Sequence, residues 1–283
     1  MSDDFQTEVE PIDPTVETLN EHFRLAEQFI KGWSGGFLEV ALRRAELATE
    51  VHQVILAQCV RQLRTLRSVT EICRLGDSVS GGVLVRSMWE TAVLTGFIMK
   101  PNWLHVVRGK KEKLEATLRA QLVLLRDQVQ IRNRIDRTQD KSLKKSQAQW
   151  MLLQEPSTLD ALSAQVGSKW SKVVDTDPPT VTGQSLEEIA PSISPELAAW
   201  YSVVEGTSPQ DNLATHSQEF LQKNIDGMWV SRWESSPSTT LAVLHNALYL
   251  TLTTLSFVDA HADIGIGGRS MLSGLRSKLT SIS

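Results

Sequence analysis

Residues 83–99 read VLVRSMWETAVLTGFIM, and this stretch decides the fold. Its pattern predicts a helix, apolar on nearly every side and interrupted by two charges one turn apart. At 100° per residue Arg86 and Glu90 lie about 40° from each other, and Val83, Val93, Leu94 and Phe97 fall within about 80° of Arg86. Removing two charges from water costs several kcal/mol per ion unless they are paired and further hydrogen-bonded. The expectation is therefore an Arg86/Glu90 pair set in an apolar wall, with other parts of the fold completing the site.

Upstream, residues 37–75 contain neither Pro nor Gly, and apolar residues recur at helical spacing from Leu42 through Val51, Ile55, Leu66 and Ile72 to Leu75. They predict one long helix or two nearly collinear ones. Gly76, Asp77, Ser78 and Ser80 end it, and Gly81 and Gly82 read as a continuation of the turn. Two long antiparallel helices joined by a short Gly/Ser loop make a helical hairpin. Further helices are expected over 14–31, 108–137, 142–154, 157–167, 194–205, 208–222, 237–263 and 270–280. Pro14, Pro195, Pro209 and Pro237 each sit where a first helical position would fall. Residues 171–195 hold four prolines and read as a surface excursion, and 224–235, with Trp229 and Trp233, as irregular structure. Residues 1–13 are acidic and read as disordered. The fold class expected is all-α: one helical bundle domain over 14–283.

Composition narrows the function classes. The chain has 283 residues, 41% of them hydrophobic and 22% charged, with a net charge of -4 that gives no global reason to expect nucleic acid. Two cysteines, Cys59 and Cys73, make no disulfide framework and no zinc spacing, so a cytoplasmic location is expected. Residues 239–258 carry no formal charge and are long enough to span a bilayer, but five Thr with His245, Asn246 and Tyr249 favour a central buried helix, with no membrane expected. There is no phosphate-binding Gly-rich loop ending in Gly-Lys-Ser/Thr, no Gly-x-Ser-x-Gly elbow and no His-Glu-x-x-His. There is also no strand–Gly-rich–helix dinucleotide signature, so neither P-loop hydrolysis nor Rossmann redox chemistry is expected.

Four places remain as candidate sites. The Arg86/Glu90 pair is either a structural tie between helices or the centre of a site. The segment WYSVVEGTSPQDNLATHS (200–217) supplies Tyr201, Ser208, His216 and Ser217, with His216 read either as a core histidine or as an imidazole facing Arg86 or Glu90. Asp259, His261 and Asp263 could hold a metal only if their helix frayed, so no metal is expected. Between Arg108 and Lys145, 12 Lys and Arg stand against five Asp and Glu with no aromatic residue interleaved. That is foremost a solvated face, and secondarily a surface for phosphate contact.

The run Arg-Ser-Met-Trp-Glu (86–90) on an apolar helix behind a long helix, with the Tyr…Ser…His segment at 201–217, resembles the bacterial all-helical family called domain of unknown function 5677. Those proteins are similar to the HEPN (higher eukaryotes and prokaryotes nucleotide-binding) group. HEPN-type ribonucleases use Arg, a polar residue, three more residues and His; here Asn212 and His216 keep the spacing, and Asp211 stands where Arg belongs. A carboxylate there would repel phosphate, so cleavage would require Arg86 to reach His216 and replace the guanidinium. The first reading is a non-catalytic helical module that binds a protein partner or a nucleotide-like ligand, or forms a homo-oligomer, and the resemblance implies a bacterial stress or defence setting for it. Its alternative is a metal-independent ribonuclease with Arg86, Glu90 and His216 as catalytic groups and Tyr201, Asn212 and Ser217 as ligand contacts. Neither reading calls for a cofactor.

Overall fold

The computed structural model describes residues 14–33, 50–99, 119–124, 126–127, 129–130, 137, 184–206, 221–223, 228–231, 235–262 and 266–282. These form an all-α fold: α1 (Pro14–Gly32), α2 (Glu50–Arg74), α3 (Ser78–Met99), α4 (Leu186–Ile193), α5 (Pro195–Gly206), α6 (Pro237–Ala262) and α7 (Ile266–Ser281). A short antiparallel hairpin, β1 (Leu221–Lys223) with β2 (Trp229–Ser231), precedes α6, so part of the stretch expected to be irregular, and the end of the helix expected over 208–222, are strand.

The core is a three-helix layer in which α2, α3 and α6 each pack on the other two, with α1 across α6 and α2. Each contributes a stripe with alternating spacings of four and three: Ile55, Cys59, Gln62, Leu66, Val69 and Cys73; Gly81, Val85, Met88, Ala92, Thr95 and Met99; Thr240, Leu244, Ala247, Thr251, Thr254 and Val258. The turn between α2 and α3 follows from Gly76. Its φ of 80° ends α2 in a Schellman motif, with Gly76 N–H bonded to the Cys73 carbonyl at 3.0 Å and Asp77 N–H to Ile72 at 3.2 Å. The Gly76 carbonyl accepts from Ser235 N–H at 2.7 Å, and the Ser235 hydroxyl accepts from Ser78 N–H at 3.1 Å, which fixes the start of α6 to this turn.

α3 starts five residues earlier than 83. Asp77 caps it by accepting from Ser80 N–H at 3.1 Å, and Gly81 and Gly82 are buried inside the helix instead of continuing the turn. A side chain at Gly81 would stand 3.2 Å from Val243 and 3.3 Å from Cys73, so this glycine is there for close helix packing. The excursion expected over 171–195 is also corrected where it is described. Ser185 and Glu188 form a capping box, Leu186, Ile189 and Ala190 are buried, and together they hold α4 helical despite Pro191.

Ser194 then both ends α4 and caps α5, accepting from Glu196 N–H at 3.2 Å with Pro195 at the first helical position. Ser236 and Pro237 repeat this arrangement at α6. The helix α6 is long and apolar enough to cross a membrane by length and composition, yet 67% of its most apolar window is buried within the protein. Its hydroxyls accommodate that burial locally: Thr240, Thr251, Thr253, Thr254 and Ser256 each donate to the carbonyl four residues before. Of the helix expected over 108–137, residues 119–124, 126–127, 129–130 and 137 are described and helical, with Ala120, Leu122, Val123 and Val129 buried.

Candidate functional site

Arg86 and Glu90 share one strip of α3, and no ion pair between the two is seen among the described residues. Ion pairs seen among the described residues include Arg74 with Glu27 and Glu71, and Arg126 with Asp127. Arg86, Ser87 and Glu90 are half-buried and Val83 is 45% exposed, so these four occupy the single less buried strip of α3, at successive helical spacings. The apolar wall lies on the other sides, where Val85, Met88, Trp89 and everything from Thr91 to Met99 is buried.

The Arg86 charge also acts on Glu187 at the start of α4. Partial burial pushes the Glu187 carboxyl up, but hydrogen bonds from Ser185, its own backbone N–H and the Tyr201 hydroxyl, with the Arg86 charge, outweigh this and hold it below the usual carboxylate range. The Tyr201 ring lies 5.0 Å from Trp89, whose indole N–H donates to the Leu197 carbonyl at 2.8 Å. Of the expected site residues, then, Arg86 and Tyr201 both act on one carboxylate, Glu187. Glu90 lies on the same strip. Asn212, His216 and Ser217 lie outside the described residues, as do Asp263 and the side chain of His261.

A second constellation has the shape of a site. A cleft of about 290 Å³ opens between α5, α6 and α7, lined by Glu196, Trp200, His245, Tyr249, Leu252, Arg276, Leu279 and Thr280. Each helix supplies its share from one face: Glu196 and Trp200 are four apart on α5, His245 and Tyr249 four apart on α6, and Arg276 precedes Leu279 and Thr280 on α7 by three and four. The Trp200 and Tyr249 rings stack, with centroids 4.7 Å apart and planes 24° from parallel, and the His245 ring continues the stack 6.4 Å from Trp200. The Tyr249 hydroxyl donates to the Glu196 carboxylate at 2.8 Å. Burial first, then the Glu196 bond and charge, raise the Tyr249 phenol, so it stays a neutral donor.

Behind this wall His245 meets His22 of α1, Nδ1 to Nε2 at 3.1 Å, and His22 Nδ1 stands 2.9 Å from the Thr18 carbonyl. Burial lowers both imidazoles, and the neighbouring His22 lowers His245 further. None of His22, Glu196, Trp200 or Arg276 stands out in the sequence, and His245 and Tyr249 register there only as polar interruptions of α6. Their shared face, read with the same test on α5, was the available signal.

Comparison with protein-family models, with curated proteins and with solved structures finds no match.

Proposed function

We propose that the chain is a non-catalytic helical binding module that takes a small molecule in the cleft between α5, α6 and α7. One observation carries this: three separate helices turn aromatic, acidic, basic and imidazole side chains into one cleft of about 290 Å³, near the lower end of ligand-pocket sizes. Trp200, with Tyr249 and His245 each stacked on it, gives a rigid apolar wall, and Glu196 and Arg276 give polar anchors, which together are the composition of a ligand site. The resemblance to the domain of unknown function 5677 family adds a bacterial stress or defence setting, and the two cysteines without a disulfide framework add a cytoplasmic location; a protein partner or second copy of the chain is part of the same proposal.

A fragment library screened by NMR against the wild type and Trp200→Ala tests the reading. Hits that the wild type binds and Trp200→Ala loses, with the helical circular dichroism of the variant unchanged, are expected. A library without a single Trp200-dependent hit overturns it. Degradation of total RNA by the purified protein, abolished in His216→Ala, would replace it with the ribonuclease reading.

A further inference from the structure

The hydrogen-bond chain behind the cleft fixes where its histidine can accept. A carbonyl only accepts, so His22 Nδ1, 2.9 Å from the Thr18 carbonyl, carries a hydrogen. In the neutral ring Nε2 is then bare, and His245 Nδ1, 3.1 Å away, must donate to it. Neutral His245 is left with its lone pair on Nε2, on a ring that lines the cleft. The cleft therefore offers two acceptors for N–H groups, Glu196 and His245, beside the faces of Trp200 and Tyr249, which attract a cation. Arg276, on a different helix, offers the opposite charge, and Leu252 and Leu279 an apolar surface.

We propose that this cleft binds a small zwitterion with a primary ammonium group and an apolar side chain, that is, a free α-amino acid of leucine or phenylalanine size. The ammonium donates to the Glu196 carboxylate and His245 Nε2. The carboxylate meets the Arg276 guanidinium, and the side chain packs on Leu252, Leu279 and the aromatic stack. A free acid or a free amine would each leave one charged lining residue without its counterpart. The inference rests on the cleft being a small-molecule site.

Calorimetry at neutral pH with L-leucine, L-phenylalanine, 3-phenylpropionate, phenethylamine and N,N,N-trimethyl-L-phenylalanine tests it. At least one of the two amino acids should bind, and for the phenylalanine series loss of the ammonium, the carboxylate or the N–H groups should each weaken binding by about tenfold or more, the scale of a charge-assisted hydrogen bond. Arg276→Gln, at an exposed position, should weaken the amino acids and leave phenethylamine unchanged. Glu196→Gln, also exposed, should weaken the amino acids and leave 3-phenylpropionate unchanged. If either truncated compound binds as well as L-phenylalanine, or if none of the five binds while the fragment screen gives Trp200-dependent hits, the zwitterion is wrong and the cleft remains a ligand site. If none binds and no fragment depends on Trp200, both fall.

Discussion

Gln62 has 0% of its surface exposed, and neither atom of its amide has a hydrogen-bond partner. It sits in the core stripe of α2 between Cys59 and Leu66, with the Gln58 carbonyl oxygen equally unpaired one turn earlier. Each buried amide atom left unpaired costs about 1–3 kcal/mol. Gln62→Met, close in volume and free of that cost, should stabilise the protein by about 1–3 kcal/mol in urea denaturation. A loss of stability would show that the amide is satisfied in solution. Arg86 gives a second comparison at this scale. Its charge acts on Glu187, so Glu90→Ala should cost less than about 1 kcal/mol, and Glu187→Ala, which removes a carboxylate that both Arg86 and Tyr201 help to hold charged, should cost more. Equal effects would reject the assignment. The need for a partner to Arg86 is legible in the sequence, because an arginine among apolar residues at helical spacing has to be compensated. The partner is not legible: periodicity assigns a face to Arg86 but does not say that the start of α4 covers it.

Glycines inside helices separate local propensity from packing. Gly96 of α3 lies where a Cβ would overlap the Ile193 methyl and come 3.1 Å from the Phe257 ring, so α4 and α6 both close on this point. Gly96→Ala should destabilise the protein by about 1–3 kcal/mol through overpacking. Gly274 of α7 has nothing within 4 Å of the same position and is exposed, so Gly274→Ala should stabilise by about 0.5–1 kcal/mol through helix propensity alone. Melting temperatures that moved in the same direction for both would contradict this packing. The same distinction explains which element boundaries the sequence carries. The helix starts at Pro14, Pro195 and Pro237 are legible because a proline at the first helical position is a local signal, reinforced at the last two by a capping serine. The start of α3 is not, because Gly81 and Gly82 carry a turn signal while serving the close approach of Val243 and Cys73. Likewise Pro191 hides α4, whose capping box and buried Leu186 and Ile189 outweigh a missing N–H near its end.

The all-α class follows from periodicity alone, but the cleft is a property of the whole molecule. It needs α5, α6 and α7 side by side and α1 behind them, and no short motif joins residues as distant as His22 and His245. That pair also couples the global stability to pH. Among the described residues, the charged and titratable groups around it are Glu21 beside His22, the two imidazoles themselves, and Glu196, Tyr249 and Arg276 along the cleft with His245. Burial is the largest influence on both rings, and each is held below its ordinary value of 6.5. As pH falls through about 6.5 the unfolded chain therefore takes up protons that the folded chain still refuses, and the unfolded state is favoured. Stability is full above that value and declines toward the lowered folded values. Glu187 adds a second loss at more acid pH, since its carboxyl is held low and its contribution vanishes as that group protonates. Urea midpoints measured between about pH 7.5 and 5 should fall for the wild type, and should fall less steeply for His245→Phe, which removes one titrating ring and relieves the other of its neighbour. Parallel slopes in the two proteins would show that the histidine pair does not set the acid limb. A shallower slope would place the origin of the acid sensitivity at the wall of the cleft, where the first proton taken up by His245 would also remove the acceptor that the proposed ligand requires.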